Sequence, residues 1–228
     1  MNAKILSALL FAWVIICPEI SIKAQQMDSI HNERTIFSDN FTYDVTGKFP
    51  KNWISNRPGE VITLKSLPGK WFKMHSEGTY LPAIKQDFPK HFTVTFNLIH
   101  QSVTSGNNTV EFTIYNKLNG SVNDALFPGS SGVKIIFETF IVSCLCYDNL
   151  NPNGQVTAEN RQNLIKANNM AKISIQVDQQ QLKVFVDGTE CLNVPNCNKG
   201  EEPLNAVRFY LWGSMAEPVV GDFKITQD

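Results

Sequence analysis

Residues 171–188 read Ala-Lys-Ile-Ser-Ile-Gln-Val-Asp-Gln-Gln-Gln-Leu-Lys-Val-Phe-Val-Asp-Gly. Apolar side chains take every second position in both halves, the period of a strand with one buried face. The polar turn between the halves is too short for a crossover, so the two strands run antiparallel. A sheet that is apolar on one side must bury that side against a second layer.

The same period returns along the chain. At 92–98, Phe92, Val94, Phe96 and Leu98 share one face and Thr93, Thr95 and Asn97 the other. At 110–115, Val110, Phe112 and Ile114 point inward, and Glu111, Thr113 and Tyr115 outward. Shorter β-prone runs lie at 37–41, 60–64 and 71–74, with Leu67-Pro-Gly69 as the turn between the last two, because Pro fixes φ and Gly tolerates a positive one. Closing strands are expected at 206–212 and 219–225. Residues 133–142 are more continuously apolar than the other runs, which suits one central strand covered on both faces, though periodicity alone does not decide it. Residues 149–154 crowd Asn, Pro and Gly and read as loop. Residues 157–169, with Thr157 as N-cap and Glu159 in a first turn, are expected as a short helix or a long loop. Strands at these intervals, with no βαβ rhythm and no repeat, give an all-β, antiparallel two-sheet β-sandwich or jelly roll.

The first residues set the expected compartment. Lys4, an apolar run over 5–16, Pro18 and a small residue at Ala24 have the layout of a signal peptide, 1–24. An acylated Cys17 is disfavoured, since Ile16 stands where the processing enzyme wants a small residue. A polar leader, 25–35, then precedes a single domain at 36–228. The mature chain carries no apolar stretch of the ~20 residues that span a bilayer. With 20 Lys and Arg against 21 Asp and Glu, no basic excess recommends nucleic acid as a partner.

Four cysteines remain beyond the leader: Cys144, Cys146, Cys191 and Cys197. In an oxidising compartment they imply disulfides, with three connectivities open. Cys144 and Cys146 lie two apart on one strand face, where a mutual bridge is strained. Cys191 and Cys197 bracket a short loop that they can staple. Cys-x-Cys with Cys-x5-Cys is not a recognised zinc spacing.

Several segments resemble concanavalin A-like lectin/glucanase modules of the laminin-G type: the hairpin 172–188, the run Asn205-Ala-Val-Arg-Phe-Tyr-Leu211, and the final Val220-Gly-Asp-Phe-Lys-Ile225. The opening Phe37-Ser-Asp-Asn-Phe41, Phe49-Pro-Lys-Asn-Trp53, Gly59-Glu-Val-Ile-Thr-Leu64 and Gly69-Lys-Trp71 is similar to the sandwich module ahead of peptidoglycan-binding domains in OmpA-family envelope proteins of Gram-negative bacteria. The similarity covers most of residues 36–226. It implies the jelly-roll fold, and its motifs are structural ones that carry over no catalytic residue. The peptidoglycan-binding domain of those relatives has no counterpart here, so anchoring through it is not implied. Gln179 follows Asp178 where such modules often show Gly, so a different turn is expected.

Glycoside hydrolases on this fold are similar to one another in a Glu-x-Asp-x-x-Glu strand that sets two carboxylates on one face. That run is absent, which leaves Glu111 and Glu138 as the one carboxylate pair to consider. His31, His75, His91 and His100 have no metal-ligand spacing, and neither a Gly-x-Ser-x-Gly elbow nor a phosphate loop occurs. Asp39 and Asp222, expected on neighbouring strands, are the candidates for a calcium ion. Asn40, Asn107 and Asn119 begin Asn-x-Ser/Thr triplets, of use only in a eukaryotic secretory pathway.

The positive signal is aromatic. In Val207-Arg-Phe-Tyr-Leu-Trp212 the alternation sets Val207, Phe209 and Leu211 against Arg208, Tyr210 and Trp212. If the aliphatic face is core, the other presents two aromatic rings beside a guanidinium, a surface on which sugar rings stack while polar groups hold their hydroxyls. Outward Tyr115 and Phe185 are expected to extend it, and Trp53 and Trp71 to pack the rim of the sandwich. The expectation is an exported, non-catalytic binding module, secreted or held at the periplasm or outer membrane, with carbohydrate as its ligand. The alternatives are a structural or adhesion domain docking an envelope protein, and a glycan hydrolase.

Overall fold

The computed structural model describes residues 34–75, 77–100, 109–116, 132–148, 151–197, 204–212 and 217–227, with the backbone alone at 148, 151–157 and 212. Residues 1–24, read above as a signal peptide, and most of 25–35, read as a leader, lie outside these residues. Among the described residues every helix or strand assigned is a strand, and the strands pair antiparallel. None of them is a helix long and apolar enough to cross a membrane.

The first sheet runs in the order β13 (Thr189–Val194), β12 (Gln181–Val186), β11 (Met170–Asp178), β6 (His91–Ile99), β15 (Val219–Gln227), β4 (Leu67–Met74) and β3 (Gly59–Leu64). One edge of β15 pairs with β6. Its other edge is divided: Val219 and Val220 pair with β4, and the stretch from Phe223 to Gln227 pairs with β1 (Arg34–Asp39). A bulge between Gly221 and Lys224, with Asp222 at φ +46°, marks the change of partner. Within β1–β15, Arg34 lies opposite Gln227 and Asp39 opposite Phe223. The second sheet runs β10 (Asn151–Asn160), β9 (Val142–Asp148), β8 (Gly132–Phe137), β7 (Thr109–Tyr115), β14 (Ala206–Trp212), β5 (Gly78–Pro82) and β2 (Trp53–Ser55).

The alternation read from the sequence decides which side chains meet between the sheets. Phe96 and Phe223 from the first sheet interleave with Phe112 and Phe209 from the second. Ring centroids lie 4.9 Å apart for Phe112–Phe209 and 5.1 Å for Phe96–Phe209. Trp53 joins them, 5.3 Å from both Phe72 and Phe223. Aromatic pairs at such spacings contribute about 0.5–1.5 kcal/mol each beyond the area they bury. A disulfide between Cys146 in β9 and Cys197, just past β13, ties the two sheets together across a sequence separation of 51. Closing a loop of that size stabilises the fold by about 4 kcal/mol in the chain-entropy view.

Several expectations change here. The apolar stretch 133–142 is not one strand: β8 ends at Phe137 and β9 begins at Val142, with Glu138 N–H donating to Ile141 O at 2.9 Å across the turn. Both strands look like one run because β8 is buried on both faces. Residues 157–160 continue β10, and 161–169 form irregular chain and turns, so the helix option for 157–169 does not hold; its apolar face is too thin to dock. The β3–β4 turn falls at Lys65 and Ser66, and Leu67-Pro-Gly69 lies inside β4. β1 already begins at Arg34, inside the stretch read as leader. Gln179 takes φ +55°, the left-handed conformation that Gly ordinarily supplies, and its N–H is held by Lys90 O at 2.8 Å. Cys191 is not stapled to Cys197; it keeps its thiol, which donates to Val184 O at 3.2 Å. Trp53 lies in the core, whereas Trp71 lies flat over Gly221 on the outer side of the first sheet, where a β-carbon would come within 2.6 Å of its ring.

Candidate functional site

Cross-strand register brings four of the five expected ligand residues onto one face. Along β14, Ala206, Arg208, Tyr210 and Trp212 stand opposite Tyr115, Thr113, Glu111 and Thr109 of β7. Glu111 and Thr113 in turn stand opposite Ile136 and Lys134 of β8. The fifth, Phe185, does not join them: it lies half-buried in β12, on the outer side of the first sheet. The backbone of Trp212 is in place opposite Thr109, and its side chain lies outside the described residues.

The expected exposure of this face is overturned. Arg208 is 0 %, Tyr115 2 % and Tyr210 7 % exposed. The Arg208 guanidinium carbon sits 4.6 Å from the centre of the Tyr115 ring, so the ring face meant for a sugar already holds a cation. Lys134 Nζ pairs with Glu111 Oε2 at 3.0 Å, both residues buried. Tyr210 Oη donates to Glu77 Oε1 at 3.2 Å. Burial, followed by the Glu111 charge, pushes the Tyr147 hydroxyl up to about 12, against the opposing effect of Arg208. Burial likewise raises Tyr115 and Tyr210. These groups pack against and pair with one another and form a second, polar core.

The hydrolase pair fares similarly. Glu111 is committed to Lys134, and Glu138 accepts from Thr109 Oγ1 at 3.0 Å. Both carboxylates are thus engaged within the second sheet, Glu111 at a buried position. The calcium pair sits on adjacent strands but does not converge. Asp39 points inward and accepts from Phe41 N–H at 2.8 Å and Trp53 Nε1 at 3.2 Å, and burial raises its carboxyl. Asp222 points outward and accepts from Asn97 Nδ2 at 2.9 Å. Among the described residues, the one group of acidic, His or Cys ligands close enough to hold an ion is Cys144, Cys146 and Cys197.

An open site lies elsewhere, in the loop from β1 to β2. Phe41 anchors this loop: it turns at φ +60° and its ring is fully buried in the core. Asn40 Oδ1 accepts Thr42 N–H at 3.1 Å, and Asp44 N–H donates to Phe41 O at 3.1 Å. Lys70 Nζ donates to the carbonyls of Thr42, at 3.0 Å, and Asp44, at 2.6 Å. Asp44 Oδ1 accepts Lys51 N–H at 3.0 Å, which fastens the far end of the loop. From this pinned backbone Tyr43 projects into solvent, 93 % exposed. Beside it lies a hollow of about 330 Å³ bounded by Asn40, Asp44, Lys51 and Asn52. Ser38 and Asn40 also line a separate groove of about 470 Å³ on the outer side of the first sheet, with Thr95, Asn97, Lys172 and Lys224. Both volumes fall in the range of about 300–1,000 Å³ that small-molecule sites occupy.

Nothing in the sequence reading selected Tyr43. Its signal was present: a second aromatic two residues after Phe41 inside Asn40-Phe-Thr-Tyr-Asp-Val-Thr-Gly47, where turn-forming residues leave no strand to bury it.

No family model matches the sequence, and none of the curated proteins is similar to it. Solved structures share its fold at low identity. The carbohydrate recognition domain of Emp47p aligns with a TM-score of 0.62 at 13% identity, over 86% of this chain and 96% of that one. The exoplasmic/lumenal domain of VIP36, in a Ca2+/Man3GlcNAc-bound form, aligns with a TM-score of 0.55 at 10% identity, over 84% and 90%. The carbohydrate-binding module CBM66 from Bacillus subtilis aligns with a TM-score of 0.52 at 14% identity, over 78% and 96%. At such identity these place the chain on the lectin-type β-sandwich fold and assign no site.

Proposed function

We propose that this domain binds carbohydrate, and that the Tyr43 loop with its adjoining groove is where the sugar sits. The observation that carries the reading is an aromatic ring fully in solvent on a backbone fixed by Phe41, Lys70 and Asp44. A ring held that way offers its face to the C–H side of a sugar with little ordering cost on binding. Amide and hydroxyl groups at Asn40, Asn52 and Ser38 line the hollow, and Thr95 the neighbouring groove, where they would receive sugar hydroxyls. That structural neighbours are carbohydrate recognition domains and a carbohydrate-binding module supports the same class of ligand. The sheet-to-sheet disulfide supports export to an oxidising compartment.

The test is a glycan array probed with the wild-type protein, then Tyr43→Ala and Trp212→Ala. The expected result is specific binding that falls at least about tenfold in Tyr43→Ala, as loss of a central stacking aromatic does, and persists in Trp212→Ala. Binding lost in Trp212→Ala alone would return the site to the face of the second sheet. A blank array with folded protein would remove carbohydrate altogether and favour a protein partner docked over Tyr43 and Val45, the latter 58 % exposed.

A further inference from the structure

Strand alternation puts Cys144 and Cys146 at successive inward positions of β9, beside their ladder partners Ile135 and Val133 of β8. Cys197 reaches the same spot from the first sheet, in the turn past β13, where its N–H donates to Gln180 O at 2.7 Å. The disulfide uses Cys146 and Cys197. Cys144 keeps its thiol, with Sγ 3.7 Å from Cys197 Sγ and 3.8 Å from Cys146 Sγ. The second thiol, Cys191, is placed quite differently: it is tied to Val184 O, and burial pushes it up to about 11. One thiol is thus locked away, and the other rests beside the disulfide, from where its sulfur must swing into line with the Cys146–Cys197 axis to displace Cys146.

We propose that Cys144, Cys146 and Cys197 form a thiol–disulfide exchange site in which Cys197 changes partner between the two β9 cysteines. The step conserves atoms and electrons. The Cys144 thiol gives up its proton, its sulfur bonds to Cys197 Sγ, and the Cys146–Cys197 bond breaks. Cys146 leaves with the electron pair and takes up a proton. No oxidant or reductant is needed. Both isomers fasten β9 to the same turn and close loops of nearly equal length, since the sequence separation is 51 in one and 53 in the other. The sheets therefore stay clamped throughout. What moves is the reactive thiol, from fully buried Cys144 to partly exposed Cys146. At that partly exposed position the thiol would meet a low-molecular-weight disulfide. Attack by the Cys146 sulfur would form a mixed disulfide and release one small thiol, which makes Cys146 a gated modification site.

The experiment incubates the oxidised protein with reduced and oxidised glutathione in mildly alkaline buffer, quenches with acid, and maps linked peptides by fragmentation between residues 144 and 146. Cys197 is expected linked to Cys144 and to Cys146 in amounts within about tenfold of each other, with glutathione attached at Cys146. Cys144→Ser is expected to fix the Cys146–Cys197 bond and abolish that attachment. Cys146→Ser is expected to fold with a Cys144–Cys197 bond. Recovery of Cys146–Cys197 alone from wild type after hours of incubation would overturn the proposal, as would glutathione attachment that is unchanged in Cys144→Ser.

Discussion

Along β11, Lys172, Ser174, Gln176 and Asp178 alternate with buried Ala171, Ile173, Ile175 and Val177, and stand wholly or partly in solvent. Along β14, Arg208 and Tyr210 alternate with Val207, Phe209 and Leu211, and all five are buried. The two strands carry the same period, yet one outer face is a wet surface and the other a polar core. The difference lies in pairing. The β11 positions need no partner because water serves, whereas Arg208 rests on Tyr115, Lys134 on Glu111, and Tyr210 on Glu77. Removing a partner should therefore be costly on the second sheet and nearly free on the first.

The sharpest contrast is Arg208→Ala against Lys224→Ala. The former empties a large buried site and strips the Tyr115 ring of its cation, and should lose about 3–5 kcal/mol in urea unfolding; the latter should stay within about 0.5 kcal/mol. An equal response from both would break the comparison. Next is the ion pair. Glu111→Gln leaves the Lys134 ammonium buried without its carboxylate and should cost about 3 kcal/mol, while Glu111→Leu with Lys134→Met should recover most of it. A double variant no better than the single would show that the pair is not the unit.

Acid should find the buried groups first. Burial holds His100 down to about 4, from 6.5 for the exposed side chain. Above pH 6.5 the ring is neutral folded or unfolded, and its contribution is fully present. As pH falls from 6.5 towards 4 the unfolded chain takes up a proton that the native state refuses, so stability declines, by up to about 3 kcal/mol. His100→Gln should flatten the stability profile across that window; an unchanged slope would assign the loss to other groups. Smallest of all is Tyr43→Ala, expected within about 0.5 kcal/mol of wild type by thermal unfolding, which would mark the ring as a contact for something other than this chain.

Much of this arrangement was legible in the residues. The alternation at 92–98, 110–115 and 206–212 gave the strands and the inward set, and it placed Tyr115, Arg208 and Tyr210 on one face. It could not tell a solvated face from a covered one, because a period of two reports sidedness and not what lies above. The same blindness fused β8 and β9: with Ile135 and Ile136 both apolar and neither Gly, Pro nor Asn in 138–141, the hairpin left no mark. Cys146–Cys197 joins positions that only the stacking of two sheets brings together, so spacing left the pairing open and offered the local Cys191–Cys197 staple as one choice. Tyr43 carries no strand period to mark it, because a loop residue gains its geometry from distant donors such as Lys70.

The pairing of β1 with β15 has a mechanical side. Arg34 and Gln227 face each other across the ladder, so the chain comes into the domain and leaves it at one corner. Tension between those two positions does not shear the ladder, in which all bonds would resist together. It unzips the pair from Arg34–Gln227 towards Asp39–Phe223, one bridge after another. The next residues in line are Asn40 and the pinned turn that bears Tyr43. Load carried along the chain thus reaches the proposed sugar-gripping loop before it reaches the aromatic core, and would loosen the grip while most of the sandwich still stands.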